Sequence, residues 1–234
     1  PIMILTAAGV VTIVLLVFVI PVFEAMFLDF KAALPTPTQV VVDLSNFTRD
    51  NIFFIVPGLI GGVVGISFLA KTKKGREFFD WAILKVPIFG PMMRKIAVAK
   101  FSRTLATMLS SGVNILDALE IVASTAGNTV IERGLRTVRQ RISEGKTMAG
   151  PLSDMKIFPT MVVQMIAVGE AAGAMDTMLG KIADFYDDEV ETMLGGLTSL
   201  LEPLLMVFLG VIVGGIVLCM FLPIFKMGEV VSGK

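Results

Sequence analysis

The sequence predicts an all-α membrane protein, with three transmembrane helices joined to one cytoplasmic helical-bundle domain. Three observations carry this expectation. Of 234 residues, 55% are hydrophobic and only 17% charged, against about 45–50% and about 25% in soluble domains. Three runs, Ile2 to Phe23, Ile52 to Ala70 and Pro203 to Phe225, contain no Asp, Glu, Lys or Arg. Basic residues then crowd on one side of the second run and are sparse on the other.

Composition also removes chemistry. Twenty basic residues balance twenty acidic ones, so no nucleic-acid footprint is visible and no nucleic-acid partner is expected. There is no histidine and a single cysteine, Cys219. Imidazole bases, His-ligated metals, disulfides and thiolate zinc sites are therefore absent. No cofactor, metal site or catalytic residue is predicted.

The first span, 1–23, has about 22 uncharged residues, enough at 1.5 Å per residue to cross a core about 30 Å thick. Residues 24–51 read as a compact external loop, because Leu34-Pro35-Thr36-Pro37 is turn-rich and Gln39 to Leu44 partly alternates. The second span, 52–70, holds Gly58/Gly62 and Gly61/Gly65 at GxxxG spacing, as the third holds Gly210/Gly214. This spacing either admits a close helix or reflects the ordinary glycine content of membrane helices. Lys71, Lys73, Lys74, Arg76 and Lys85 follow the second span, whereas Lys31 and Arg49 are the only cations before it. The positive-inside rule thus places 71–202 in the cytoplasm and the tail 226–234 outside. Spans without charge disfavour a self-contained transporter.

Sliding the chain by 202 residues lays Pro1 on Pro203, Leu16 on Leu218 and Pro21 on Pro223. Proline in a first turn needs no N–H partner, and proline near a helix exit ends or bends the helix. Both placements recurring at one offset suggest that the first and third spans are duplicates. A counterpart of the cytoplasmic domain is then expected upstream of Pro1.

Residues 71–202 read as a helical bundle. One helix runs from about Met92 to Ser111 with Ile96, Phe101, Leu105, Met108 and Leu109 as its apolar stripe, and Gly112 stops it. Asn114 caps a helix to Ala126, and Asn128 caps one to Glu144. A loop with Pro151 and Pro159 precedes a helix from Thr160 to Ala172, ended by Gly173. A nearly continuous helix is expected from Met175 to Phe225, with a kink at Gly195-Gly196. On the helix after Asn128, Arg133 and Arg136 lie opposite the apolar stripe, as a solvated face or a docking face for an acidic partner. Asp184, Asp188 and Glu191 share another face, which solvent, a basic surface or a divalent cation would satisfy. Gly145-Lys146-Thr147 resembles the end of a phosphate loop, but Gln140 stands where its first glycine belongs, so ATP hydrolysis is not expected.

The segment Phe101-Ser102-Arg103-Thr104-Leu105-Ala106-Thr107-Met108-Leu109-Ser110-Ser111-Gly112 resembles the signature of the PilC/GspF family, the inner-membrane platform proteins of type IV pilus and type II secretion machines. The resemblance continues through Asp117-Ala118-Leu119-Glu120, Gly169-Glu170-Ala171-Ala172-Gly173, Glu202-Pro203 and Pro223-Ile224-Phe225. It implies a non-enzymatic platform in the bacterial inner membrane, with the pilus branch favoured by Pro21 to Phe27. Implied partners are a cytoplasmic hexameric assembly ATPase, pilin or pseudopilin subunits, inner-membrane alignment proteins and further copies of the chain. The motif residues are Gly112, Glu120, Glu170, Gly173, Glu202, Pro203 and Pro223, and the candidate ATPase-contact face is Arg133 and Arg136. For Glu120 and Glu170 a structural role is favoured, with Glu170 holding orphan backbone donors. For Glu202 a capping role and a partner-binding role stand level.

Overall fold

The computed structural model describes residues 2–29 and 35–231, and among these every regular element is a helix. Pro1, Leu34 and the last three residues of the expected tail lie outside the described residues. Three helical stretches are long and apolar enough to cross a membrane, Met3–Met26, Thr36–Lys71 and Met175–Leu222. The chain divides into two compact units, residues 1–65 with 196–234, and residues 66–195.

In the first unit, α1 (Ile2–Val14) passes through one π-helical turn (Leu15–Val19) into α2 (Ile20–Asp29). The others are α3 (Thr36–Lys71), contributing up to Gly65, and α10 (Met175–Val231), contributing from Gly196. The expected loop 24–51 is largely helical, which corrects the sequence reading. Pro37 occupies the first turn of α3, where a missing N–H costs nothing, and the Gln39 N–H reaches the Pro35 carbonyl at 3.0 Å. The stretch that reads as alternating instead buries Thr38, Val42 and Ser45 at i, i+4 and i+7. Polar side chains on the buried stripe disguise its helical period. A small core joins Leu16 and Ile20, Val42, and Ile216 and Met220. Among the described residues, no neighbouring atom lies within 4 Å of a Cβ built on Gly58, Gly61, Gly62, Gly65, Gly210 or Gly214. The GxxxG spacings therefore mark no close helix contact within this unit.

The prolines explain the polar residues of α3. In a helix Pro223 has no N–H to give the Cys219 carbonyl, and the Thr38 hydroxyl donates to that carbonyl at 2.6 Å. At the equivalent place in the first span, the Ile20 N–H is drawn one residue further back, to the Leu15 carbonyl, making the π turn. The Leu16 carbonyl would then look to residue 21, which is proline, and the Ser45 hydroxyl donates to it instead. Pro21 thus neither ends nor sharply stops the helix, since α2 continues to Asp29. Pro203 is likewise internal, because α10 runs unbroken from Met175. It does not open the third span as expected.

The second unit holds the end of α3, then α4 (Lys73–Ile83), α5 (Phe89–Ser110), α6 (Ile115–Ser124), α7 (Thr129–Ser143), α8 (Ala149–Asp154), α9 (Thr160–Ala172) and α10 up to Gly195. The expected loop holds a short helix, α8, which contains Pro151 near its start, and α4 is a separate helix that the sequence did not mark. Asn114 accepts from the Leu116 N–H, and Asn128 from the N–H groups of Val130 and Ile131, as capping predicts. Gly112, Gly127, Gly145 and Gly173 all have left-handed backbones at the helix stops. The core gathers Val98, Leu105, Leu119, Leu135, Val162 and Ile182 around the edge-on pair Phe101–Phe158, whose centroids are 4.9 Å apart.

The hydroxyl clamp yields a double-mutant test. Ser45→Ala is expected to destabilise the membrane unit by about 1 kcal/mol, the scale of a hydrogen bond between membrane helices. Combined with Pro21→Ala, which restores an N–H, the same change is expected to cost far less. Detergent unfolding of the four variants measures the coupling, and equal losses in both backgrounds would disconnect Ser45 from the proline.

Candidate functional site

The family-like motifs converge on helix ends. In Gly169-Glu170-Ala171-Ala172-Gly173, Gly173 takes φ 67° and the Ala174 N–H returns to the Gly169 carbonyl at 2.9 Å. A Cβ on Gly169 would lie 3.1 Å from Met178 and 3.3 Å from the Met175 Cα. The missing side chain lets α9 fold back closely on α10. Glu170 presents both carboxylate oxygens, at 3.1 and 3.0 Å, to the Met148 N–H, just ahead of α8. Met148 offers no side-chain cap of its own, so a carboxylate from another helix satisfies the first donor and complements the helix dipole. The Glu170 carboxylate thus lies on a backbone donor ahead of α8. Gly112 takes φ 79°, and the Val113 N–H closes on the Met108 carbonyl at 3.0 Å.

The arginine face of α7 is paired within the chain. Arg133 meets Glu77 on α4 at 2.6 Å, Arg136 meets Glu120 on α6 and Glu132 on its own helix, Arg139 meets Glu120, and Arg141 meets Asp154 on α8. Four arginines therefore meet four carboxylates, and hydrogen bonds to Glu132, with the neighbouring Glu120 charge, push the Arg136 pKa above its ordinary value. Glu120 is the joint between α6 and α7. These pairs remain largely exposed, and their contribution is mainly to orientation.

The acidic face of α10 also has partners that spacing did not reveal. Arg103 bridges Asp184 at 2.7 Å and Asp187 at 2.6 Å, and Lys95 reaches Glu189 at 2.9 Å. Of the three carboxylates aligned by spacing, Asp184 is engaged by α5, and the unforeseen Asp187 joins it. Arg103 lies in the motif that begins at Phe101, and a helix-period search from α5 for a cation facing α10 would have found it. A further basic surface, a groove lined by Pro91, Arg94, Lys95, Lys156, Phe158 and Pro159, was not legible because α5 and the α8–α9 turn meet only in the fold.

Glu202 sits exposed and interior to α10. Its neighbours' N–H groups belong to a continuing helix, so no helix start is there to be capped. This removes the capping reading. Pro203 follows it within the same helix, and Pro223 is the proline whose missing N–H leaves the Cys219 carbonyl to Thr38.

Glu170→Ala is expected to destabilise the bundle by about 1 kcal/mol, as loss of a helix cap does, whereas Glu170→Gln keeps an acceptor and loses less. Thermal unfolding of the two variants compares them.

Residues 101–223 match the family described as type II secretion system (T2SS), protein F. Over 232 residues the chain is 52% identical to the type IV pilus assembly protein PilC of Myxococcus xanthus, covering 99% of this chain and 56% of that protein. It is 40% identical to the type IV pilus assembly protein PilC of Pseudomonas aeruginosa, covering 99% and 62%. Identity to the type II secretion system protein F of Pseudomonas aeruginosa is 30%, covering 99% and 57%. The chain thus spans little more than half the length of these relatives. The helical hairpins built by Gly112, Glu120 and Gly173 lie within a matched region that covers more than half of the sequence, and the chain belongs to the type II secretion system protein F family.

Proposed function

We propose that this chain is the membrane-embedded part, with one helical bundle, of an inner-membrane platform for type IV pilus assembly, coupling a cytoplasmic ATPase to insertion of pilin subunits. The observation that carries the reading is 52% identity over nearly the whole chain to a relative named for pilus assembly, against 30% to one named for secretion. A type II secretion platform building a pseudopilus is the second reading, supported by the family name itself. The role is one of binding and coupling rather than catalysis, since histidine is absent from the sequence and the family motifs serve helix ends and ion pairs. The bundle faces the cytoplasm in this reading, supported by the cations that follow the second span. Alignment proteins and further copies of the chain complete the assembly.

Arg133 and Arg136 remain the proposed ATPase-contact face, now as a face of exchangeable ion pairs. Arg133→Glu with Arg136→Glu places like charges beside Glu77, Glu120 and Glu132. The double variant is expected to lower the Tm of the bundle by a few degrees and to reduce co-purification of the ATPase from membranes. Complementation of a strain lacking the intact gene, scored for surface pili and for secretion, separates the two machines. Restored secretion without pili would overturn the pilus reading.

Glu202 is proposed to receive a positive group of an incoming subunit, such as its N-terminal amine. Glu202→Gln and Glu202→Ala are then both expected to abolish piliation at matched membrane levels while ATPase binding persists. Normal piliation in Glu202→Gln would show that the charge is not used.

A further inference from the structure

Helix α4 is amphipathic with its faces reversed. Glu77 and Asp80 lie on one side of the helix, and this polar side is the one that meets the bundle. The Asp80 carboxylate accepts from the Thr129 N–H at 2.7 Å, its carbonyl accepts from the Asn128 side chain at 2.9 Å, and Glu77 pairs with Arg133. On the other side Phe78 and Phe79 point away, and Trp81 and Ile83 are exposed beside them. Phe78 is 63% exposed, Phe79 44% and Trp81 48%, and no residue of α4 is buried. The rings form one patch, since Phe78 lies 6.0 Å from Phe79 and 6.4 Å from Trp81 between centroids. The turn beyond continues the exposure with Ile88 and Phe89. A helix that docks its charges and leaves its aromatic face uncovered lacks its partner.

Two features of the chain identify that partner. Only Thr72 separates α4 from the end of α3, and the corner is tight. The Thr72 hydroxyl donates to the Leu69 carbonyl at 2.7 Å and accepts from the Gly75 N–H at 3.2 Å, and a Cβ on Gly75 would sit 1.9 Å from the Leu69 carbonyl oxygen. The aromatic face is therefore held beside the end of a membrane-spanning helix. The sequence on either side of it supplies Lys71, Lys73, Lys74, Arg76, which also lies 3.9 Å from Asp80, and Lys85, whose ammonium sits 3.9 Å from the Trp81 ring centre. Basic residues combined with Trp and Phe on one short helix are the chemistry of an anionic lipid surface, with rings at headgroup depth and ammonium groups on phosphates. We propose that α4 is an interfacial helix, its Phe78, Phe79 and Trp81 face seated in an anionic bilayer surface where the second span ends. The bundle is then fastened to the membrane at α4 as well as through its connecting helices.

Trp81 is the chain's only tryptophan, and its fluorescence reports the contact directly. The chain is reconstituted in phosphatidylglycerol–phosphatidylcholine vesicles whose acyl chains are brominated near the headgroup. Seating at the interface is expected to blue-shift the emission and to let the bromolipid remove about half of it, with little quenching by aqueous acrylamide. Phe78→Ser with Phe79→Ser is expected to reverse both effects while circular dichroism stays helical. Wild-type emission that ignores bromolipid and yields to acrylamide would overturn the proposal. So would protection that grows with the protein-to-lipid ratio, which would assign the face to a second copy of the chain.

Discussion

A backbone carbonyl or N–H removed from water must find a partner, and this requirement governs both units of the chain. In hydrocarbon an unsatisfied carbonyl costs several kcal/mol, yet the first and third spans each carry a proline that cannot supply an N–H. Ser45 and Thr38, seven residues apart on one buried stripe of α3, supply hydroxyls to the carbonyls concerned. The two contacts fix which face of the first part of α3 meets its neighbours. The paired prolines thus meet a common physical demand, although the first span answers with a π turn and the third with an α-helix. The two spans therefore share the problem more closely than its solution.

The same accounting explains the bundle. Its family-like motifs are places where a helix stops or starts, and each supplies the group such an end lacks. Gly112 and Gly173 give the left-handed residue that returns an N–H to the preceding turn, Asn114 and Asn128 give cap oxygens, and Glu170 reaches across from α9 to the Met148 N–H. Charged side chains then set the orientation of these short helices, with Glu120 joining α6 to α7 and Arg103 joining α5 to α10. Arginines that look like a docking face in the sequence have partners in the fold. A face built from exposed pairs can still exchange partners, because each pair is worth little in water.

Much of this was legible in advance. Uncharged runs gave the three spans, since no charged side chain is readily placed in hydrocarbon. Gly and Asn punctuation gave the main bundle helices to within three residues, because left-handed backbone and side-chain caps depend on local sequence alone. Residues 24–51 read as loop in the sequence for a physical reason. Its buried stripe is Thr38, Val42 and Ser45, so a search for apolar periodicity sees no helix where the helix faces polar gaps in its neighbours.

The sequence by itself determined class, span number, the bundle's main helix ends and the family, all consequences of composition or of contacts a few residues apart. Only the tertiary structure decided what the polar residues touch. It paired Glu170 with Met148, Arg133 with Glu77, Thr38 with Cys219, and turned the aromatic face of α4 outward. These partners lie 22, 56 and 181 residues apart. No periodicity reaches across such distances, because which donor meets which acceptor is set by how helices pack and not by spacing along any one of them.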